Sequence, residues 1–262
     1  MRIFALIAAI WAGPVAAQAV PDAAVLADVV VLGEIHDNPA HHDLQAQWVA
    51  HIAPSAIVME MLTPEQAALV TPETRQDPEM LGDLLGWEQA GWPDFAMYSP
   101  ILVAAADARI YGAAVPRDVA RASMTDGIAA TFGADAGDYG LHRALPADQQ
   151  VARIALQDQA HCNAMPPDML PAMVDIQRLR DATLARAVAQ AMIDTSGAVV
   201  VITGNGHARK DWGMPSILDG VLPNAIIFSL GQTEDDAPMD GAFDLVLSAK
   251  GVVRPDPCDA FR

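Results

Sequence analysis

The chain is short of cysteine, of basic side chains and of long apolar runs, and each shortage narrows what it can be. Cys162 and Cys258 are its only cysteines. With no thioredoxin-like Cys-x-x-Cys between them, thiol catalysis is disfavoured. Fifteen Lys and Arg stand against 33 Asp and Glu, a net charge of −18. Nucleic acids and anionic lipid surfaces are bound through clustered Lys and Arg, so neither is an expected partner. Beyond the first nineteen residues no apolar run approaches the ~20 residues needed to cross a bilayer, so the rest reads as soluble. There is also no nucleophile elbow, no His-Glu-x-x-His and no phosphate-binding Gly-rich loop.

What is present begins with an export signal. Arg2 precedes an apolar run over 3–11, and Ala17-Gln18-Ala19 supplies the small residues of a peptidase cut. The expected leader is 1–19, removed after Ala19, and the expected location is periplasmic or otherwise exported. Loss of Arg2 takes the net charge to −19. An oxidising compartment and two cysteines together predict a Cys162–Cys258 disulfide.

Residues 20–262 read as a single domain. Apolar, β-branched runs at 29–32, 57–59, 110–115, 199–203, 225–230 and 243–247 have strand length and little alternation, which predicts strands covered on both faces. Helical stretches at 40–52, 78–90, 100–108, 148–163 and 167–194 lie between them. This alternation predicts an α/β fold, a mostly parallel central sheet flanked by helices. The stretch from about 62 to 190 holds one strand candidate and reads as an inserted helical cap. Within it, 127–145 carries turn signals and little periodicity and reads as an irregular loop.

Two segments share a plan. Val-Val-Val-Leu-Gly33-Glu34-Ile35-His36 and Val-Val-Val-Ile-Thr-Gly204-Asn205-Gly206-His207 each run an apolar strand into a Gly, with a His three residues later. Ligands of open α/β sheets gather at the carboxyl ends of strands, so both imidazoles stand where a site forms. Glu60 follows the strand at 57–59, and Arg117 follows the one at 110–115. Two imidazoles, the Glu34 and Glu60 carboxylates and a guanidinium suit a divalent metal held by His36 and His207, an activated water, or a clamp on a carboxylate-bearing ligand. His41 and His42 read as the solvated face of a helix. Arg178 is spaced to pair with Asp175 and Asp181. Trp87 and Trp92, near Phe95 and Tyr98, form the densest aromatic stretch.

In order along the chain, Gly33-Glu34-Ile35-His36-Asp37, Val58-Met59-Glu60, Tyr98-Ser99-Pro100-Ile101-Leu102, Val115-Pro116-Arg117, His161-Cys162, Gln177 to Ala182 and Gly204 to Arg209 resemble the ChaN-like haem-binding family. That family shares its paired Gly-x-x-His turns with the Tiki proteases, TraB and erythromycin esterases. The resemblance covers nearly all of 20–262. It implies haem binding linked to iron uptake, a homodimer closed around haem, and Arg180 and Asp181 in the site beside Asn205 and His207. A metal-dependent hydrolase using His36, His207 and the nearby carboxylates is the alternative ancestry. Haem requires an axial ligand, an apolar slot and cations for its propionates. The axial candidates are His36, His207, Tyr98 and Tyr139, with His41, His42 and His161 behind them; Arg117 or Arg209 would meet a propionate. Family members are frequently lipoproteins, but no cysteine stands beside the expected cut, so a membrane anchor is not carried over.

Overall fold

A computed structural model describes residues 19–256, 258 and 259. All but the last residue of the expected leader lies outside the described residues. Six strands, β1 (Val29–Glu34), β2 (Ala56–Met59), β3 (Arg109–Gly112), β4 (Val199–Gly204), β5 (Ile227–Glu234) and β6 (Leu245–Ala249), form one sheet in the order β3-β2-β4-β1-β5-β6. Every pairing is parallel.

The valine runs explain the central position of β1 and β4, in which every residue is buried. Successive side chains of a strand point to opposite faces. Val30, Leu32, Val200 and Ile202 accordingly enter one core with Trp48, Ile57 and Met59, whereas Val29, Val31, Val199 and Val201 enter the other with Leu184 and Val188. Helices α1 (Pro39–Ile52) and α2 (Phe95–Ala104) cover the first face. After α3 (Arg117–Asp126) and α4 (Ala147–Ala160), the long α5 (Leu170–Asp194) covers the second face together with α6 (Met214–Val221). The segment read as a cap thus also furnishes, through the end of α5, one of the two layers packed on the sheet.

Several boundaries differ from the sequence reading. The helix expected at 78–90 breaks into Pro78–Leu84 and Trp87–Ala90 around Gly86, whose φ of 61° no helix accommodates. The helix expected at 100–108 begins at Phe95, because Asp94 caps it by accepting from the Ala96 N–H at 2.9 Å. Strand β3 stops at Gly112, since the next two amides, of Ala113 and Ala114, bond to the carbonyls of Met59 and Leu62. The expected loop at 127–145 contains a helix, Ile128–Phe132, and a 3-10 turn, Ala134–Gly137, around a small core of Phe132, Leu141 and Leu179.

Cys162, just beyond α4, is bridged to Cys258 with their Cα atoms 5.5 Å apart. The tail is also held by Arg254, which pairs with Asp37 at 2.6 Å and Glu234 at 2.7 Å. Among the described residues no helix is long and apolar enough to cross a membrane.

Candidate functional site

Strands β1 and β4 are neighbours in a register that sets Gly33 opposite Thr203 and Glu34 opposite Gly204. Both Gly-x-x-His turns therefore leave the sheet side by side. The glycines make that approach feasible: a Cβ on Gly204 would lie 3.0 Å from Nε2 of His36, and one on Gly33 would lie 2.5 Å from Oδ1 of Asn205.

The two histidines differ in their surroundings. The His36 side chain is one-third exposed, with Nδ1 2.7 Å from Oε1 of Glu34. Glu34 is buried and accepts two further hydrogen bonds, from the Tyr98 hydroxyl at 2.9 Å and from Gln45 Nε2 at 2.7 Å, with the His42 ring 3.5 Å away. A carboxylate fixed in this way sets the ring of its histidine and keeps a proton on Nδ1, which turns Nε2 towards the cleft. Burial opposes a cation at His36, but the bond to Glu34 and the charges of Glu60 and Glu34 outweigh it and raise its pKa above the ordinary value.

His207 is enclosed. Its Nδ1 lies 2.6 Å from Oδ1 of Asp181 on α5, and its Nε2 lies 3.6 Å from Oε1 of Glu60. Glu60 in turn accepts from the Thr203 hydroxyl at 2.6 Å and the Gly204 N–H at 2.8 Å. Burial resists the His207 cation, yet Glu60 and Asp181 prevail and lift its pKa to about 9. Burial likewise pushes Glu60 up, but His207, His36 and the two hydrogen bonds hold it down at about 2. For Asp181 burial wins, and its pKa lies above the ordinary value despite His207. At neutral pH His207 is an imidazolium held between two carboxylates, with no lone pair to offer.

These groups line a cleft of about 860 Å³ at the carboxyl edge of the sheet. Met61, Val115 and Pro116 give it apolar wall, and Trp92 stands edge-on to His36 with ring centres 5.1 Å apart. Arg117 and Arg180 bring cations to it. Among the described residues neither forms an ion pair, although Arg117 donates to the Ala90 carbonyl at 3.3 Å.

Of the residues singled out by sequence, Glu34, His36, Glu60, Arg117, Arg180, Asn205 and His207 line this cleft, and Asp181 stands behind His207. Asn205 also ties β5 to the turn, its amide exchanging two bonds with the backbone of Gln232 at 2.7 and 2.9 Å. Others fall elsewhere. Tyr98 is fully buried behind Glu34, its hydroxyl donated inward, so it presents no ligand atom to the cleft. Tyr139 packs on Phe132 and lines a different cavity. Arg209 pairs with Asp211 and stacks on Trp212, which leaves Arg180 as the second cleft arginine. Arg178 pairs with Asp175 alone; Asp181 is taken by His207.

His41 and His42, read as solvated, are wholly buried. His42 bonds the His36 carbonyl at 2.8 Å and stacks on Tyr98, while His41 accepts from the Ile35 N–H at 3.0 Å. His41, His42, Gln45, Trp48 and Val49 are the buried residues of α1, so its inner face is largely polar and apolar periodicity could not reveal it. The divalent-metal expectation finds no ligand set: among the described residues no group of three or more His, Cys, Asp or Glu side chains is disposed to hold a metal ion. Asp181 and Glu60 are instead committed to His207.

A family model described as haem-binding uptake, Tiki superfamily, ChaN matches residues 20–218. Among solved structures, ChaN of Campylobacter jejuni, described as binding haem cofacially, is 17% identical with a TM-score of 0.60 over 83% of this chain and 86% of that one. The type III effector HopBA1 is 13% identical with a TM-score of 0.47 over 88% and 91% of the two chains. An erythromycin esterase, EreC, in its open conformation is 13% identical with a TM-score of 0.45 over 80% and 71%. Comparison with curated proteins gives no match. With the family model spanning β1 to β4, both Gly-x-x-His turns and the cleft between them, the chain belongs to the ChaN family of haem-binding uptake proteins in the Tiki superfamily.

Proposed function

We propose that this protein is an exported haem-binding protein serving haem or iron uptake, and that it holds haem in the cleft between β1 and β4. The observation that carries this reading is the conjunction, in one cleft, of an accessible imidazole, an apolar and aromatic wall, and two arginines without carboxylate partners among the described residues. The cleft volume of about 860 Å³ lies within the range of small-molecule and cofactor sites. Family membership and the haem described for the Campylobacter jejuni structure support the same ligand.

Each residue has a part. His36 would hold the haem iron through Nε2, and Glu34 would strengthen it by accepting a hydrogen bond from Nδ1. Trp92 and Met61 would supply apolar surface for the ring, and Arg117 and Arg180 would meet the propionates. The imidazolium of His207 offsets part of the charge of Glu60 and Asp181 at the base of the cleft. Bound haem would supply an iron centre, and the residues of this cleft would cover one face of the flat ligand. The flat ligand's outer face then remains for a second copy of the chain to cover, hence the proposal of a haem-linked homodimer. Export rests on the leader at 1–19.

Haem titration of the purified protein tests the reading. A charge-assisted bond to a propionate is worth ~1.5–3 kcal/mol, so Arg117→Ala and Arg180→Ala should each weaken binding about tenfold or more. Unchanged affinity in both variants would remove haem from this cleft.

A further inference from the structure

On the far side of Asp181 from His207 lies a second cavity, of about 410 Å³, which shares no lining residue with the haem cleft. Its wall has two characters. Leu145, Ile217 and the rings of Tyr139 and Trp212 give an apolar side, while Arg143, Arg153 and Arg178 outnumber the Asp138 and Asp181 carboxylates on the charged one. Three guanidiniums in one small cavity are a concentration of positive charge that the chain's 33 acidic residues make unexpected.

Their commitments differ. Arg178 is neutralised by Asp175 at 3.0 Å and donates to the carbonyls of Gly140 and Arg143. Among the described residues Arg143 and Arg153 form no ion pair. Arg153 donates from Nη2 to Gln149 Oε1 at 3.1 Å and to the Trp212 carbonyl at 3.0 Å, and its guanidinium lies 5.2 Å from the Trp212 ring centre. Its Nε is buried with no hydrogen-bond partner among the described residues. Burial lowers the pKa of Arg153, opposed by Asp181. Asp181 is bonded to His207 and, lining the same cavity, offsets part of the Arg153 charge without pairing with it. A guanidinium half-withdrawn from water and, among the described residues, without an ion-pair partner has donors left for an anion.

We propose that this cavity is a second ligand site, taking a small carboxylate with an apolar body: the carboxylate on Arg153 and Arg143, the body against Trp212, Tyr139 and Ile217. A bare oxyanion uses only half of the wall, and a neutral apolar molecule leaves the arginines unmet. The site is independent of the haem reading, since none of its contacts belongs to the first cleft.

Calorimetric titration of the intact, disulfide-bonded protein with sodium benzoate tests this, with inorganic phosphate as the comparison. The expected result is saturable benzoate binding, tighter than that of phosphate, and weakened about tenfold or more in Arg153→Gln and in Arg143→Gln. Arg143 is exposed, so its variant reports binding even if Arg153→Gln folds poorly. Arg117→Ala should leave benzoate binding unchanged. Absence of saturable binding, benzoate affinity indifferent to Arg143→Gln, loss of benzoate binding in Arg117→Ala, or phosphate binding as tightly as benzoate would each overturn the proposal.

Discussion

At the scale of single residues, two histidines in matching sequence contexts perform different work because different carboxylates face them. Glu34 reaches the near nitrogen of His36 and leaves the other to the cleft, whereas Asp181 and Glu60 flank both nitrogens of His207. Glu34→Gln should therefore weaken haem binding about 10–100-fold, the usual cost of losing the partner of an iron-bound imidazole. Parallel haem titration and thermal unfolding of the apo protein would separate this from a loss of fold. The His207 cluster makes a second prediction, on stability against pH. The folded pKa of His207, about 9, lies above its unfolded value, so its contribution is complete below about 6.5 and vanishes as pH rises through 9. Glu60, at about 2, contributes fully above about 4.5, and its contribution fades as pH falls through 2. Asp181 is raised, so its ionisation above about 4 offsets part of this gain. Apo stability should be greatest near pH 4.5–6.5 and fall towards pH 9; denaturant midpoints that rise across 6.5–9 would contradict the assignment. Of this layer the sequence displayed the histidines, Glu34, Glu60 and Arg117 through their places after strands. It did not display His42, Gln45 or Tyr98 as the supports of Glu34, because their contacts cross between α1, α2 and β1 and follow no local period.

At the scale of elements, the strand-end glycines decide how closely the two turns approach. A Cβ on Gly33 would meet the Leu230 backbone carbonyl at 2.8 Å as well as Asn205, and a backbone neighbour does not yield cheaply. Gly33→Ala should cost roughly 1–3 kcal/mol of stability, the usual penalty for overpacking. Gly206→Ala, in the same turn as His207 and with nothing within 4 Å of the added carbon, should be close to neutral. Chemical denaturation of both variants checks the contrast, which vanishes if both are neutral. The central strands β1 and β4 were legible because their valine runs are buried on both faces, and a mostly parallel sheet was legible from the helices between strands; that β6 also pairs parallel was not, since no helix separates it from β5. The short helices within 127–145 were not, since five residues at Ile128–Phe132 are too few to establish a period. The start of α2 was hidden because Pro100 reads as a first-turn residue, whereas Asp94 supplies the cap.

At the scale of the whole molecule, the carboxyl-terminal segment is fastened twice, by Arg254 to the turn after His36 and by Cys258 to Cys162. The bridge spans 96 residues, a separation for which loop-closure entropy puts its stabilisation near the top of the ~2–5 kcal/mol range. Reduction, or Cys162→Ser with Cys258→Ser, should lower stability by about that amount, read as a shift of the denaturant midpoint. An unshifted midpoint would show the bridge to be dispensable. The pairing was legible from the cysteine count together with the expected export, whereas the ion pair of Arg254 with Asp37, 217 positions apart, left no local signal.

The claim on which the function rests is that haem iron is taken by His36 in the cleft between β1 and β4. Its most direct test is the Soret spectrum during haem titration of the wild-type chain, His36→Ala, His207→Ala and, as a control outside the cleft, Tyr139→Phe. The account predicts saturable binding with a histidine-ligated spectrum in the wild type and in Tyr139→Phe. It predicts loss of that spectrum in His36→Ala, and weaker binding with the spectrum retained in His207→Ala. A wild-type spectrum persisting in His36→Ala would contradict it.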